Sequence, residues 1–111
     1  MSHEKYASCI EACQDCAVEC EHCATACLHE PDVQARTKCL QLLRDCADIC
    51  LLATQYMARG SAYADAVGEL CATICDACAT ECARFQDDHC QRCAQACRTC
   101  ADECRAMVAV Q

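Results

Sequence analysis

Small and apolar residues recur along this chain at steps of three and four, and most of them are cysteines. The first six are Cys9, Cys13, Cys16, Cys20, Cys23 and Cys27. Their spacing of four, three, four, three and four places them on one face of an α-helix, at the a and d positions of a heptad. All 18 cysteines of the chain fit such positions. The sequence therefore predicts helices whose inward faces are lined with thiols.

The first two predicted helices are separated by a proline. The first runs roughly from Glu4 to Leu28, and Pro31 suits the first turn of the next helix. The stripe of the second consists of Cys39, Leu43, Cys46, Cys50, Ala53 and Met57. Gly60 follows that stripe and is a plausible C-cap, because glycine adopts the left-handed conformation that ends many helices.

Two further stripes complete the pattern. The third consists of Ala64, Gly68, Cys71, Cys75, Cys78, Cys82 and Phe85, and the fourth of Cys90, Cys93, Cys97, Cys100, Cys104 and Met107. Ser61 is a candidate N-cap for the third helix, and Asp88 followed by Gln91 resembles a capping box that opens the fourth. Because all connections are short, we expect an all-α, antiparallel up-down-up-down four-helix bundle with a cysteine-lined core, a single domain over residues 1–111.

Composition and charge exclude several classes of protein. The net charge of −8, with 9 basic against 17 acidic residues, argues against nucleic-acid binding. No apolar run is long enough to cross a bilayer, and residues 1–6 show no cationic apolar leader, so a cytoplasmic protein without membrane contact is expected. Cytosolic thiols stay reduced, and neighbours within one helix, with Cβ atoms about 5–6 Å apart, are poor disulfide partners, which leaves only bridges between helices open.

The number of cysteines points to metal binding. A core of Cys in place of Leu or Ile gives up roughly 1 kcal/mol per position, so plain packing explains it poorly. Soft thiolates favour Cu(I), zinc or iron–sulfur clusters. Zinc sites are usually closed tetrahedra held by loops, and ferredoxin cysteine runs end in Cys-Pro, which is absent here. We therefore expect multiple Cu(I) ions; a zinc or iron–sulfur protein with a redox or electron-transfer role is the alternative. No catalytic constellation is recognisable, which indicates a protein that is not an enzyme.

Alternating Cys-x-x-x-Cys and Cys-x-x-Cys steps occur at 9–16, 71–78 and 90–97. In these motifs, and over essentially its whole length, the chain resembles the bacterial copper storage proteins, in particular their cytosolic branch. The resemblance implies a bundle that fills with Cu(I) along its axis, usually as a homotetramer, for storage or for sequestration of toxic copper.

The predicted metal ligands are the cysteines together with one histidine and two methionines: Cys9, Cys13, Cys16, Cys20, Cys23, Cys27, Cys39, Cys46, Cys50, Cys71, Cys75, Cys78, Cys82, Cys90, Cys93, Cys97, Cys100, Cys104, His89, Met57 and Met107. Roughly one Cu(I) per thiolate would make the interior neutral. Antiparallel packing places the two methionines at one end of the bundle and His29 and His89 at the other, and either end could admit copper.

The predicted partners are copper carriers and other copies of this chain. We expect a copper donor or acceptor protein, or a small thiol, to exchange copper with the store. Leu40, Leu51, Leu52 and Leu70 lie off the cysteine stripes. They either form oligomer contacts or widen the core-facing stripes of the second and third helices.

Overall fold

A computed structural model describes residues 2–109 of the chain. Its helices are α1 (Ser2–Lys5), α2 (Ala7–Leu28), α3 (Thr37–Ala58), α4 (Ala64–Cys82) and α5 (Asp88–Ala109), with a 3-10 helix at Val33–Arg36 before α3. The four long helices form an antiparallel bundle of 47 × 18 × 18 Å, in which α2 and α4 each pack against α3 and α5. The predicted all-α four-helix bundle is confirmed. Within residues 2–109, no helix is both long and apolar enough to span a bilayer.

The core is built from small side chains. Every cysteine is buried, and alanines such as Ala17, Ala47, Ala79 and Ala94 fill positions beside them. Leu43 and Met57 are the largest fully buried side chains. Because cysteine and alanine are small, the helices enclose a narrow column of sulfur atoms instead of an ordinary aliphatic core.

Two features of the first half of the chain differ from the prediction. The first predicted helix is interrupted at Tyr6, which separates α1 from α2, and the connection from α2 to α3 has an unexpected conformation. Pro31 does not open the second helix: it lies in a turn, and α3 begins only at Thr37. A 3-10 helix occupies the space between, and its last residue, Arg36, is buried. The extra turn is used to bring Arg36 over the end of the core.

Gly60 ends α3 as predicted. Its φ is 64°, and its amide donates to the carbonyl of Met57 at 3.1 Å, while the amide of Ser61 donates to the carbonyl of Tyr56 at 3.0 Å. These two bonds form a Schellman motif. Ser61 is not the N-cap of α4, because the helix begins three residues later, at Ala64. Its hydroxyl instead accepts a hydrogen bond from the amide of Tyr63 within the turn, at 3.0 Å.

The predicted capping box at the start of α5 is wrong. Gln91 donates a hydrogen bond from its side-chain amide to the carbonyl of Phe85 at 2.6 Å. It therefore satisfies a carbonyl in the connection after α4 and not an amide at the start of its own helix. The carbonyl of Asp87 accepts from the amides of Cys90 and Gln91 at 3.0 Å each. Phe85, placed on the third stripe by the sequence, lies in the connection after α4 ends at Cys82. Tertiary contacts therefore override the local capping pattern.

Candidate metal centre

The cysteine sulfurs form a column through the bundle. Twelve are linked by Sγ–Sγ contacts of 3.0–4.0 Å: Cys9, Cys13, Cys16, Cys20, Cys46, Cys50, Cys71, Cys75, Cys93, Cys97, Cys100 and Cys104. Cys78 lies within 4.8 Å of three of these, and contacts of 3.9 and 3.7 Å extend the chain to Cys82 and then Cys39. The remaining three cysteines, Cys23, Cys27 and Cys90, meet His89 at one end.

These spacings suit ions shared between sulfurs. With metal–sulfur bonds of about 2.3 Å, two sulfurs on one ion lie about 3.8 Å apart at a tetrahedral angle and about 4.6 Å apart when they are opposite. One group within 4.8 Å consists of Cys16, Cys46, Cys50 and Cys75, from three different helices. Contacts within a helix, such as Cys71 to Cys75 at 3.9 Å, alternate with contacts between helices, such as Cys46 to Cys75 at 3.5 Å. The sequence predicted the contacts within each helix, whereas the contacts between helices require the folded bundle.

The sulfurs are free thiols shielded from water. Burial raises the pKa of the Cys90 thiol to about 12, because the charged thiolate is poorly solvated there. Such a thiol is protonated at neutral pH, so a metal ion that binds it as a thiolate must release a proton. A monovalent soft cation compensates the resulting negative charge without leaving a large excess of either sign.

One end of the column, which we call the histidine end, contains an imidazole ring. His89 Nδ1 lies 3.3 Å from Cys23 Sγ and 3.5 Å from Cys90 Sγ. Its other ring nitrogen, Nε2, lies 2.9 Å from Glu30 Oε2. A carboxylate in this position commonly orients a metal-binding histidine and fixes its tautomer. The arrangement is compatible with a ligand role for His89, which stays a prediction. His29, the other histidine expected here, is exposed at the C-cap of α2.

A buried arginine covers the sulfurs beside His89. The Arg36 guanidinium donates from Nη1 to Cys27 Sγ at 3.6 Å and to Cys90 Sγ at 3.5 Å. It also donates from Nε to Asp32 and from Nη2 to Asp87, both at 2.7 Å. Although burial disfavours its charge, the bonds to these carboxylates raise the pKa of Arg36 above its usual value. The group is therefore a permanent cation at the end of the thiol column.

The opposite end, which we call the methionine end, is closed by packing. Met57 is completely buried, Met107 and Tyr6 are nearly so, and Cys9 and Cys104 lie next along the column with their sulfurs 3.0 Å apart. A Cβ on Gly68 would lie only 2.7 Å from Met107 Cε, so the glycine makes room for that methionine. The structure places Met57 and Met107 at the end of the column as expected, and their role as metal ligands stays a prediction.

Three polar residues of the histidine end were missed by sequence reasoning: Arg36, Glu30 and Asp87. A signal existed for Arg36, because it precedes Cys39 by three residues and so continues the stripe of α3 in register. A charged residue on a core stripe is unusual unless it has buried partners. Glu30 and Asp87 lie in connections and carry no comparable periodic signal.

Fold and site together define a class: a helical bundle whose interior is a multi-ion thiolate site. Residues 2–109 match the sequence model of the copper storage proteins, and the chain belongs to that family. The cysteine-rich protein YhjQ of Bacillus subtilis, described as uncharacterized, is 50% identical over 107 residues, which are 96% of this chain and 99% of that protein.

Solved structures agree. The Cu(I)-bound copper storage protein BsCsp3 of Bacillus subtilis superposes with a TM-score of 0.89 at 50% identity, over 94% of this chain and 98% of its own. A cytosolic copper storage protein from Streptomyces lividans, loaded with five coppers, has a TM-score of 0.93 at 42% identity, over 99% of this chain and 97% of its own.

Proposed function

We propose that this protein stores Cu(I) in the cytoplasm, at roughly one ion per cysteine. The observation that carries the proposal is the column of buried sulfurs, whose neighbours lie mostly 3.5–4.0 Å apart across all four long helices. A protein that needed one structural ion would need only one such group of four. The cytosolic relative from Streptomyces lividans supports the proposed location.

The chemistry is binding without turnover. Shielded thiols held in a rigid bundle give an ion many equivalent ligands, so an ion can bridge neighbouring sulfurs and the column can fill stepwise. We assign no catalytic role. Copper would arrive from, and leave to, a donor or acceptor protein or a small thiol. The whole unit, residues 1–111, acts as one copper-binding domain.

The test is an anaerobic titration of the reduced, metal-free protein with Cu(I) against a colorimetric Cu(I) chelator, with zinc in parallel. We expect a break near one Cu(I) per cysteine and a helical circular-dichroism spectrum already present without metal. A break at a few ions, or tighter zinc binding coupled to folding, would contradict storage and favour a structural zinc or cluster protein.

Replacing Cys20 and Cys23 with serine sharpens that test. Both sulfurs are fully buried and contact neighbours on α5. We expect capacity to fall by about one or two ions while the helices persist, because the remaining sulfurs can still share ions. Ala17→Ser is the matched control, since it buries a hydroxyl on the same helix without removing sulfur. An unfolded metal-free double variant would show that these thiols hold the scaffold together.

We further propose that the protein forms a homo-oligomer, a tetramer as the family resemblance implies. Leu51, Leu52 and Leu70 are 48, 40 and 52% exposed, so they do not simply widen the core stripe, whereas Leu40 is half-buried and packs against the core. Exposed leucines on adjacent helices suit contact with another copy. Light scattering after size-exclusion chromatography tests this; a monomer at micromolar concentration would contradict it.

A further inference from the structure

We propose that Arg36 is a lid over the thiol column: its guanidinium covers Cys27 and Cys90, and it must release their sulfurs before copper or any other reagent reaches them from the histidine end. The inference rests on the proposed function only for its link to copper, because the covering itself is a property of the metal-free protein. Arg36 is only 4% exposed, and both sulfurs beneath it are fully buried.

All three guanidinium nitrogens of Arg36 make hydrogen bonds. Nη1 is shared between the two sulfurs, which lie 4.0 Å apart, while Nε and Nη2 are each held by a carboxylate. The guanidinium also lies over the ring of Phe85, 4.5 Å from its centroid. Such planar, charge-assisted bonding fixes the guanidinium in one orientation.

The anchors of this lid lie at the edge of the protein. The side chain of Asp32 is 51% exposed and that of Asp87 is 25% exposed, although Arg36 itself is buried. Asp32 precedes the 3-10 helix and Asp87 precedes α5, so Arg36 ties two separate connections together across the bundle end. Water can replace these carboxylates when the arginine swings out, which makes the lid reversible. Apolar packing, such as that around Met57, offers no comparable exchange.

His89 is the partly exposed group beside the lid. Its side chain is 13% exposed, and Nδ1 already contacts Cys23 and Cys90. An ion from solvent can therefore meet His89 first. Its transfer to Cys27 requires the sulfur that Arg36 Nη1 now contacts. Arg36 is thus a positioning residue that controls the rate of passage, and it is not itself a copper ligand because a guanidinium is always protonated.

The test measures thiol accessibility in the reduced, metal-free protein, with a maleimide reagent and site-resolved mass spectrometry. In Arg36→Gln, we expect Cys27 and Cys90 to be labelled roughly tenfold faster, because hydrogen bonds to a charged group contribute enough to shift an opening equilibrium by that factor. Cys46, in the middle of the column, should keep its rate. Asp87→Asn, which removes one anchor and keeps the cation, should show the same selectivity with a smaller increase.

Arg84→Gln is the matched control. Arg84 lies at the same end and also approaches the Phe85 ring, but it is exposed and bonds to Glu81 instead of to sulfur. Its labelling pattern should equal that of the parent protein. Equal acceleration at all cysteines in Arg36→Gln would mean that Arg36 only supports the fold. Labelling of Cys27 and Cys90 that is no faster in Asp87→Asn, which keeps the cation beside these thiols, would mean that Arg36 covers nothing. Either result overturns the lid.

Copper loading separates the lid from the storage function. Under anaerobic stopped flow with a Cu(I)–chelator complex as donor, Arg36→Gln should load faster than the parent and Arg84→Gln. If Arg36→Gln binds the normal number of ions at the parent's rate, the lid proposal is wrong and the storage function is unaffected. If every protein binds only a few ions, storage is contradicted, and the labelling result alone decides whether Arg36 is a lid. If Arg36→Gln does not fold, the lid proposal is decided by Asp87→Asn, from the labelling rates of Cys27 and Cys90 relative to that of Cys46.

Discussion

The two ends of the thiol column are closed in different ways. At the methionine end, Met57, Met107 and Tyr6 cover the column with apolar side chains, Gly68 leaves room for the methyl group of Met107, and Cys9 lines a surface pocket. At the histidine end, the seal consists of ion pairs and hydrogen bonds, in which Arg36 is central. The column of cysteine sulfurs is thus covered by apolar side chains at one end and by charged groups at the other.

The difference teaches which end can open. Opening an apolar plug exposes buried surface and leaves a cavity, which costs several kcal/mol for a side chain the size of methionine. Opening an ion-pair network exchanges bonds within the protein for bonds to water, so the solvent replaces much of what the protein loses when Arg36 moves out. We therefore expect Cu(I) to pass at the histidine end and the methionine end to contribute stability.

The largest effect on stability should come from Met57→Ala. The side chain is fully buried, so its removal should lower the free energy of unfolding of the metal-free protein by about 2–5 kcal/mol, measured by urea denaturation. Met57→Leu is the control and should cost less than about 1.5 kcal/mol, because it preserves volume.

The same pair tests the ligand role predicted for Met57. Leucine keeps the plug but has no thioether, so a Met57→Leu protein that binds one Cu(I) fewer than its parent would show that the sulfur is a ligand. If Met57→Ala were as stable as the parent, the methionine end would not be closed by packing, and the contrast between the ends would fail.

The periodic part of the sequence was sufficient to predict the bundle and the column. Cysteines at a and d positions face the interior of an antiparallel bundle, so all the thiols point inward as expected. The histidine end was predictable only in part. His89 neighbours Cys90 in sequence, but the partners of Arg36 include Asp87, 51 residues away, and no local pattern announces such a pair.

The same limit explains the wrong boundaries. The prediction treated Pro31 and Gln91 by their local preferences, whereas the folded chain uses a 3-10 helix to position Arg36 and uses Gln91 to satisfy the carbonyl of Phe85. Connections take their conformation from tertiary contacts, which periodicity does not encode.

A smaller effect is expected from Gly68→Val. Its Cβ would crowd Met107 Cε, and the branched methyl groups would also approach Val108, so we expect a loss of about 1–3 kcal/mol in the free energy of unfolding. The displaced atom is the flexible tip of a methionine, which places the effect below that of Met57→Ala. Ala66→Val, at an exposed position of α4, should cost only about 0.5 kcal/mol from helix propensity. Equal losses in both variants would contradict close packing at this end.

The smallest effect on stability, and the sharpest on copper, should come from His89→Ala. The side chain is 13% exposed and lies at the edge of the bundle, so we expect the free energy of unfolding to change by less than about 1 kcal/mol. Loading from a Cu(I)–chelator complex should slow by about tenfold or more, because the nitrogen that the Glu30 carboxylate orients toward Cys23 is lost. His22→Ala, at an exposed position of α2, should load normally. If His89→Ala loads at the parent rate while a variant at the methionine end loads more slowly, copper enters at the methionine end. The charged groups at the histidine end would then have a role other than admitting copper.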